Sequence, residues 1–197
     1  MTAPVPELTV LVVCTANICR SPVAEALLRG AFRPASGVRV SSAGVHARAG
    51  EPVDARMAAL VDAPLEGFTA RQLTRDLVRD ADLVLTMTRD QRRSVVTAVP
   101  SAVRRTFTLL EFAELVGLAR DVVPAESGGT TGAERLRALG QAAPRVRSRR
   151  PAGRDDDIAD PHGRSAKDHA RAAELIGAAV RDIAAAVGTP VAVDGRR

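Results

Sequence analysis

Leu8 to Val13 is a short apolar run rich in β-branched residues, and it predicts a strand covered on both faces, as in a parallel sheet. After a brief loop the period changes. Val23, Ala26, Leu27 and Ala31 fall on one face of a helix predicted over Pro22 to Phe32, with Pro22 where a first-turn proline is tolerated. Further strands are predicted at Gly37 to Ser42, at Ala81 to Met87 and, with a fainter pattern, at Arg105 to Leu109. Helical spacing lies between them at Asp54 to Val61, Ala70 to Val78 and Asp90 to Ala98. Strands and helices alternating at these lengths predict an α/β fold, a four-stranded parallel sheet flanked by helices on both faces. Its ligand site belongs beyond the carboxyl ends of the strands.

From about Leu118 to Asp157 the alternation stops. Gly128, Gly129, Thr130, Thr131 and Gly132 form a flexible break, a helix is expected within Gly132 to Arg147, and a basic, turn-rich stretch RSRRPAGR follows over Arg147 to Arg154. We expect one domain over residues 1–197 with a partly flexible insertion at about 118–157. Ser165 to Val187 reads as a long amphipathic helix that packs on the sheet.

Composition narrows the function. The chain has 197 residues, 46% of them hydrophobic, enough for a sizeable core. No apolar run reaches the ~18 residues that span a bilayer, and Met1 to Leu8 lacks the basic and apolar regions of a signal peptide. A cytoplasmic protein with no membrane partner is expected. Cys14 and Cys19 are the two cysteines, and a structural disulfide across so short a loop constrains the unfolded chain little. The net charge of +5 comes with acidic residues interspersed throughout and 2% aromatics, so stacking platforms for bases are missing and no nucleic acid is expected. RSRRPAGR is read as a solvated face. Lys167 is the only lysine, and arginine favours bidentate contact with phosphate or carboxylate.

The chemistry concentrates between the first strand and the first helix. Cys14, Thr15, Ala16, Asn17, Ile18, Cys19, Arg20 and Ser21 form a C-x5-R-S segment. A loop at a helix N-terminus offers unpaired backbone N–H groups and the positive end of the helix dipole, a setting that holds a phosphate dianion. The same field and a nearby arginine stabilise a thiolate nucleophile. Arg20 is placed to grip two phosphoryl oxygens, more tightly as charge spreads in the transition state. Ser21 is placed to donate to the Cys14 sulfur, and Asn17 tolerates the left-handed backbone that a tight anion nest needs. Taken alone, these residues also fit a small buried cysteine followed by a helix-capping serine, and it is the strand, loop and Pro-started helix around them that favours the phosphate reading. A leaving oxygen needs a proton donor. Asp160 in DDDIADPHGRS is the candidate, held extended by Pro161, with Asp155, Asp156 and Asp157 just upstream. His46, His162 and His169 have no common ligand spacing, so neither a metal nor another cofactor is expected.

Together these segments resemble the low-molecular-weight protein tyrosine phosphatase family. VLVVCTANICRSPVAEALL (Val10 to Leu28) is similar to its nucleophile loop and first helix, SSAG (Ser41 to Gly44) to the end of its second strand, and ARQL (Ala70 to Leu73) to a further segment. ADLVLTMTRDQ (Ala81 to Gln91) is similar to its third strand and following helix, and Asp160-Pro161 to its general-acid loop. The resemblance runs from Leu8 to Ala113 and resumes near Asp157. It implies a phosphate monoester hydrolase working through a cysteinyl-phosphate: Cys14 as nucleophile, Arg20 as phosphate clamp, Asp160 as general acid and later base. Residues Thr15 to Ser21 would bind phosphate, Asn17, Ser21 and Ser42 would support the loop, and Cys19 would pair with Cys14 under oxidation.

The chain departs from the family at three places. Ala47 and Arg48 replace an aromatic pocket wall, His162 and Gly163 follow the DP pair where tyrosines usually stand, and Phe68 replaces a histidine that supports the loop through Ser42. Either a phosphotyrosine protein or a small phosphate ester is therefore the expected substrate. Two other readings share the loop: an arsenate reductase, which would need a resolving thiol other than a further cysteine of this chain, and a non-catalytic phosphate-binding module, which would not need Asp160.

Overall fold

The structure is a computed structural model that describes residues 7–32, 36–124 and 131–188. Four parallel strands, β1 (Leu8–Cys14), β2 (Val38–Gly44), β3 (Leu83–Thr86) and β4 (Thr106–Thr108), lie in the order β2-β1-β3-β4. The predicted four-stranded parallel sheet is thus the one observed. Alternate side chains of β1 enter different cores. Leu8, Val10, Val12 and Cys14 face one side, under the helices α1 (Arg20–Ala31), α5 (Leu109–Ala119), α6 (Gly132–Val146) and α7 (Ala166–Val187). Leu11 and Val13 face the other, against α3 (Arg75–Asp80), α4 (Arg89–Ala98) and the 3-10 turn Pro100–Arg105. A strand buried on both faces loses the polar alternation of a half-exposed one, which is why LTVLVV is nearly continuous. The chain leaves β1 toward β2 over the first face and returns to β3 over the second. The carboxyl end of β1 therefore sits where the winding reverses, the usual place for a ligand.

The sequence reading misplaces three boundaries. The helix expected from Ala70 begins only at Arg75, because residues 70–73 run extended along the end of β2. Gly44 donates to the Arg71 carbonyl at 3.0 Å and accepts from the Leu73 amide at 2.8 Å, which satisfies a sheet edge that would otherwise be open. Thr74 then caps α3 through the Leu77 amide. Asp54 to Val61 shortens to α2 (Ala55–Ala58), capped by Asp54 through the amides of Arg56 and Met57. Third, the strand expected over Arg105 to Leu109 stops at Thr108. Thr108 and Glu111 form a reciprocal capping box that starts α5, a helix with no counterpart in the pattern reading.

Within the stretch expected as an insertion, α6 starts on a Thr131–Glu134 capping box and buries Ala133, Leu136, Leu139, Ala142, Ala143 and Val146 in the larger core. Part of the expected glycine break lies outside the described residues. α7 matches its expected span, opened by a Ser165–Asp168 capping box and closed by Gly188 in the left-handed conformation. Its buried alanines at 172, 173, 179, 184 and 186 let it lie close to α1 and α5. Among the described residues no helix is long and apolar enough to cross a membrane.

One glycine is required by packing at the carboxyl end of the sheet. A Cβ on Gly44 would stand 2.6 Å from the Thr15 carbonyl oxygen, inside van der Waals contact with backbone. Gly44→Ala should therefore destabilise the fold by about 3 kcal/mol in urea unfolding and weaken phosphate binding in parallel. A wild-type midpoint would show that β2 and the loop after β1 do not pack this closely.

Candidate active site

β1 delivers Cys14 to the carboxyl edge of the sheet, buried, and six residues later α1 begins at Arg20. Between them the backbone is turned so that its carbonyls point away from the loop's centre. Those of Cys14, Thr15, Ala16 and Ile18 accept from the amides of Val45 (3.0 Å), His46 (2.9 Å), Arg48 (3.0 Å) and Asp54 (2.8 Å). Four carbonyls of the loop are thus engaged on its outer side, and no side chain caps the start of α1. This is an anion nest joined to a helix N-terminus.

Asn17 makes the turn possible. Its φ of 58° is the only positive value at a non-glycine among the described residues, as its sequence reading anticipates. Fully buried, its side chain donates to Ser21 Oγ and to Ser42 Oγ, both at 2.9 Å, and accepts the Arg71 amide at 2.9 Å. Ser21 Oγ in turn donates to Cys14 Sγ at 2.9 Å, and the Asn17 amide reaches the same sulfur at 3.2 Å. Two donors thus converge on one sulfur. With Phe68 in place of histidine, Ser42 is held by Asn17 and by Arg71, whose Nε donates to the Ser42 carbonyl at 2.7 Å. Phe68 packs instead against the core.

Arg20 is buried under the loop mouth, 2% exposed, which for a guanidinium demands partners. One terminal nitrogen donates to the Ile158 carbonyl at 2.8 Å; the other reaches Thr15 Oγ1 at 3.4 Å and forms an ion pair with Asp160. Its Nε has no partner among the described residues. Asp160, from the far end of the chain, is thereby brought to the loop, and its other oxygen accepts the His162 amide at 3.2 Å, closing the turn at Pro161. Thr15, Ala16 and Ser21 border the nest, while Ile18 and Cys19 turn into the core.

Sequence reasoning did not find Gln91 and Arg71. Gln91 accepts the amides of Met87 (2.9 Å) and Thr88 (3.1 Å) and donates to Thr15 Oγ1 at 3.0 Å, locking the loop to α4. Its only signal is the T-x-x-Q capping pattern at Thr88 to Gln91. Arg71 gives none, since its role depends on the extended run beside β2.

Cys19 Sγ, Asp54 and His162 offer donor atoms within 4.8 Å of one another, a grouping that sequence spacing did not reveal. The guanidinium of Arg48 lies 3.0 Å from His162 Nε2, which accepts from it, and Nδ1 faces Asp54 at 3.9 Å. His169 is buried in α7, its Nδ1 at 2.9 Å from the Ser165 carbonyl.

A family model for the low molecular weight phosphotyrosine protein phosphatases matches residues 9–139. The chain belongs to that family. It is 44% identical to the low molecular weight protein-tyrosine-phosphatase Etp of Escherichia coli (strain K12) over 99 residues, 49% of this chain and 64% of Etp. It thus spans less than two thirds of that relative's length. With the probable low molecular weight protein-tyrosine-phosphatase EpsP of Ralstonia solanacearum it shares 43% over 106 residues, 52% of this chain and 71% of EpsP. Among solved structures, the YwlE arginine phosphatase from Geobacillus stearothermophilus superposes with a TM-score of 0.64 at 25% identity, covering 96% of this chain and 99% of that one. Asp160 lies beyond the residues that the family model matches.

Two outcomes follow from this geometry. Removing the Asn17 side chain breaks its three hydrogen bonds and takes from the buried Ser42 hydroxyl its donor, so Asn17→Ala should cost about 3 kcal/mol and lower vanadate affinity, read by urea unfolding and titration. Burial, and then the carboxylates of Asp54 and Asp160, push the Cys19 thiol up to about 12. It stays a protonated, poor nucleophile at neutral and mildly alkaline pH. Iodoacetamide at pH 8 should alkylate Cys14 first and leave Cys19 intact in the folded protein, as peptide mass spectrometry would report. Because the folded value lies above the ordinary 9.0, the native state holds this proton more tightly, and the resulting stability should be lost as pH rises from 9.0 toward about 12. Alkylation of Cys19 at pH 8 as fast as Cys14 would contradict this.

Proposed function

We propose that the protein is a phosphate monoester hydrolase of the protein tyrosine phosphatase type, with Cys14 as nucleophile, Arg20 as clamp and Asp160 as proton donor. The observation that carries the reading is the convergence of Ser21 Oγ and the Asn17 amide on Cys14 Sγ, in a nest whose rim holds both the free Nε of Arg20 and the carboxyl of Asp160. A bare phosphate-binding module has no use for a sulfur so activated or for an acid at that rim.

In the first step the Cys14 thiolate forms a bond to phosphorus as the bond to the ester oxygen breaks, and Asp160 gives its proton to that oxygen. The transferring phosphoryl group rests on the amides from Thr15 to Ser21 and on the fork of Arg20. In the second, water attacks the cysteinyl-phosphate, Asp160 takes the water's proton, and sulfur leaves as a thiolate that accepts from Ser21. Asp160 has to release Arg20 when the phosphoryl group arrives, and 41% exposure of its side chain gives it room.

The mouth speaks to the substrate. Arg48 and His162, at the two positions where the family's aromatic walls are missing, meet each other at 3.0 Å. Phe32, Phe107 and Phe112 are buried in the core, and Phe68 sits in a hollow with Glu25, Arg29 and Pro64. A phenyl ring would therefore lie against the Arg48 guanidinium, so we place esters with an acidic or polar leaving group, including phosphotyrosine in an acidic peptide and small phosphate esters, ahead of bare aryl phosphates. Two unpaired cysteines suit a reducing compartment, and we assign the protein to the cytoplasm.

Turnover of a panel containing p-nitrophenyl phosphate, phosphotyrosine peptides of either charge, phosphoarginine, sugar phosphates and arsenate with thiol tests the assignment. Cys14→Ser should abolish hydrolysis yet keep vanadate binding, since the nest is backbone. Asp160→Asn should slow alkyl phosphates by about 10²- to 10⁴-fold and activated aryl phosphates far less. Substantial turnover by Cys14→Ser would sink cysteine catalysis. An equal loss for every ester would remove Asp160 from the acid role.

A further inference from the structure

A proton donor misplaced by an ångström loses most of its value, yet Asp160 sits in a segment, residues 151–165, that is neither helix nor strand. Something outside the segment has to fix it. On its inner side Ile158 donates to the Met87 carbonyl at 2.8 Å and accepts from Arg20 at 2.8 Å, and Asp157 accepts the Arg89 amide at 2.8 Å. The outer side rests on Arg150, one of the arginines in the stretch expected to be solvated.

Arg150 is not solvated. Its side chain is 10% exposed and lies between two carboxylates: Nε donates to Glu114 of α5 at 2.7 Å, and the terminal nitrogens bind both oxygens of Asp156 at 2.5 and 3.2 Å. Arg154 reaches the second oxygen of Glu114 at 2.7 Å. Arg147 pairs with Glu111 at 2.9 Å and lies over the Phe107 ring, which docks the end of α6 on α5. Asp156 is two residues before Ile158 and four before Asp160. Arg147, Arg150 and Arg154 all lie beyond the residues matched by the family model.

We infer that the corner where α6 meets α5 serves as a bracket for the acid loop, and that Arg150 is a positioning residue that holds Asp160 in place through its bidentate bond to Asp156. The inference rests on Asp160 acting as the proton donor. Without the guanidinium, Glu114 and Asp156 would face each other across a partly buried gap and repel, swinging the strand of chain that carries Asp160 away from the nest. The nest itself, tied to the 45–54 segment and to Gln91, would keep its shape.

Arg150→Met should slow the turnover of alkyl phosphates by about tenfold to a hundredfold while leaving p-nitrophenyl phosphate turnover and vanadate affinity within about twofold. Its rate should depend more steeply on leaving-group pKa, as that of Asp160→Asn does. Arg150→Lys, with the charge but not the fork, should fall between Met and wild type. In an Asp160→Asn background the Met substitution should add nothing, since both changes remove one function. Asp156→Asn, a near-isosteric change, gives the same test should Arg150→Met fail to fold. An equal loss for all esters, or a full additional loss in the Asp160→Asn background, would overturn the bracket. Hydrogen exchange gives a readout independent of turnover: the Ile158 amide should lose protection in Arg150→Met or Asp156→Asn while the amides of α1 keep theirs. Unchanged protection at Ile158 would overturn the inference even if the chain hydrolysed nothing, whereas a wild type inactive on every ester with that protection lost would count against the hydrolase reading alone.

Discussion

A loop that binds an oxyanion through backbone amides has to dispose of its own carbonyls, and the rest of this structure is arranged around that need. Four carbonyls between Cys14 and Ile18 are drawn outward by amides of the segment after β2. That segment lies there because Gly44 has no side chain to collide with Thr15, and because the extended run 70–73 braces it from behind. Asn17 absorbs the left-handed turn and ties Ser21, Ser42 and Arg71 into one network. The strand, the helix and the sheet edge are thus coupled through one side chain, so that the loop's shape is as stable as the core beneath it.

Much of this was legible in the sequence, and the reasons differ by residue. The C-x5-R-S segment announced the nest because its chemistry is local: strand, loop and helix follow one another within about one βα unit. Asn17 could be assigned its conformation because few residues tolerate it. Asp160 was found from its neighbour Pro161, although its pairing with Arg20 joins positions far apart in the chain. What stayed hidden was set by tertiary contact. Arg71 acts through a backbone segment whose apolar spacing imitates a helix, and α5 was masked because its first turn continues the apolar run of β4. RSRRPAGR looked like surface because its acidic partners, Glu111 and Glu114, come from a different element. A charge run reveals composition and leaves its counterions unstated.

The two ends of the chain contribute differently. The first half supplies the loop and the amides that hold four of its carbonyls. The second supplies Asp160, on a segment without secondary structure that is anchored by ion pairs to Arg150 and to Arg89 of α4. Ion pairs suit that task because their geometry is specific while their net contribution to stability is small.

The contact between Arg20 and Asp160 carries one more implication. The cation at the rim of the nest is paired within the molecule. An incoming oxyanion must break one ion pair to make another, so the measured affinity for any phosphate is a difference between two attractions. In the reaction proposed above, substrate and product would be discounted alike, and the transition state, with more charge on its equatorial oxygens, would recover more of the discount than either. Such a site would let its product go easily, because Asp160 is at hand to replace it.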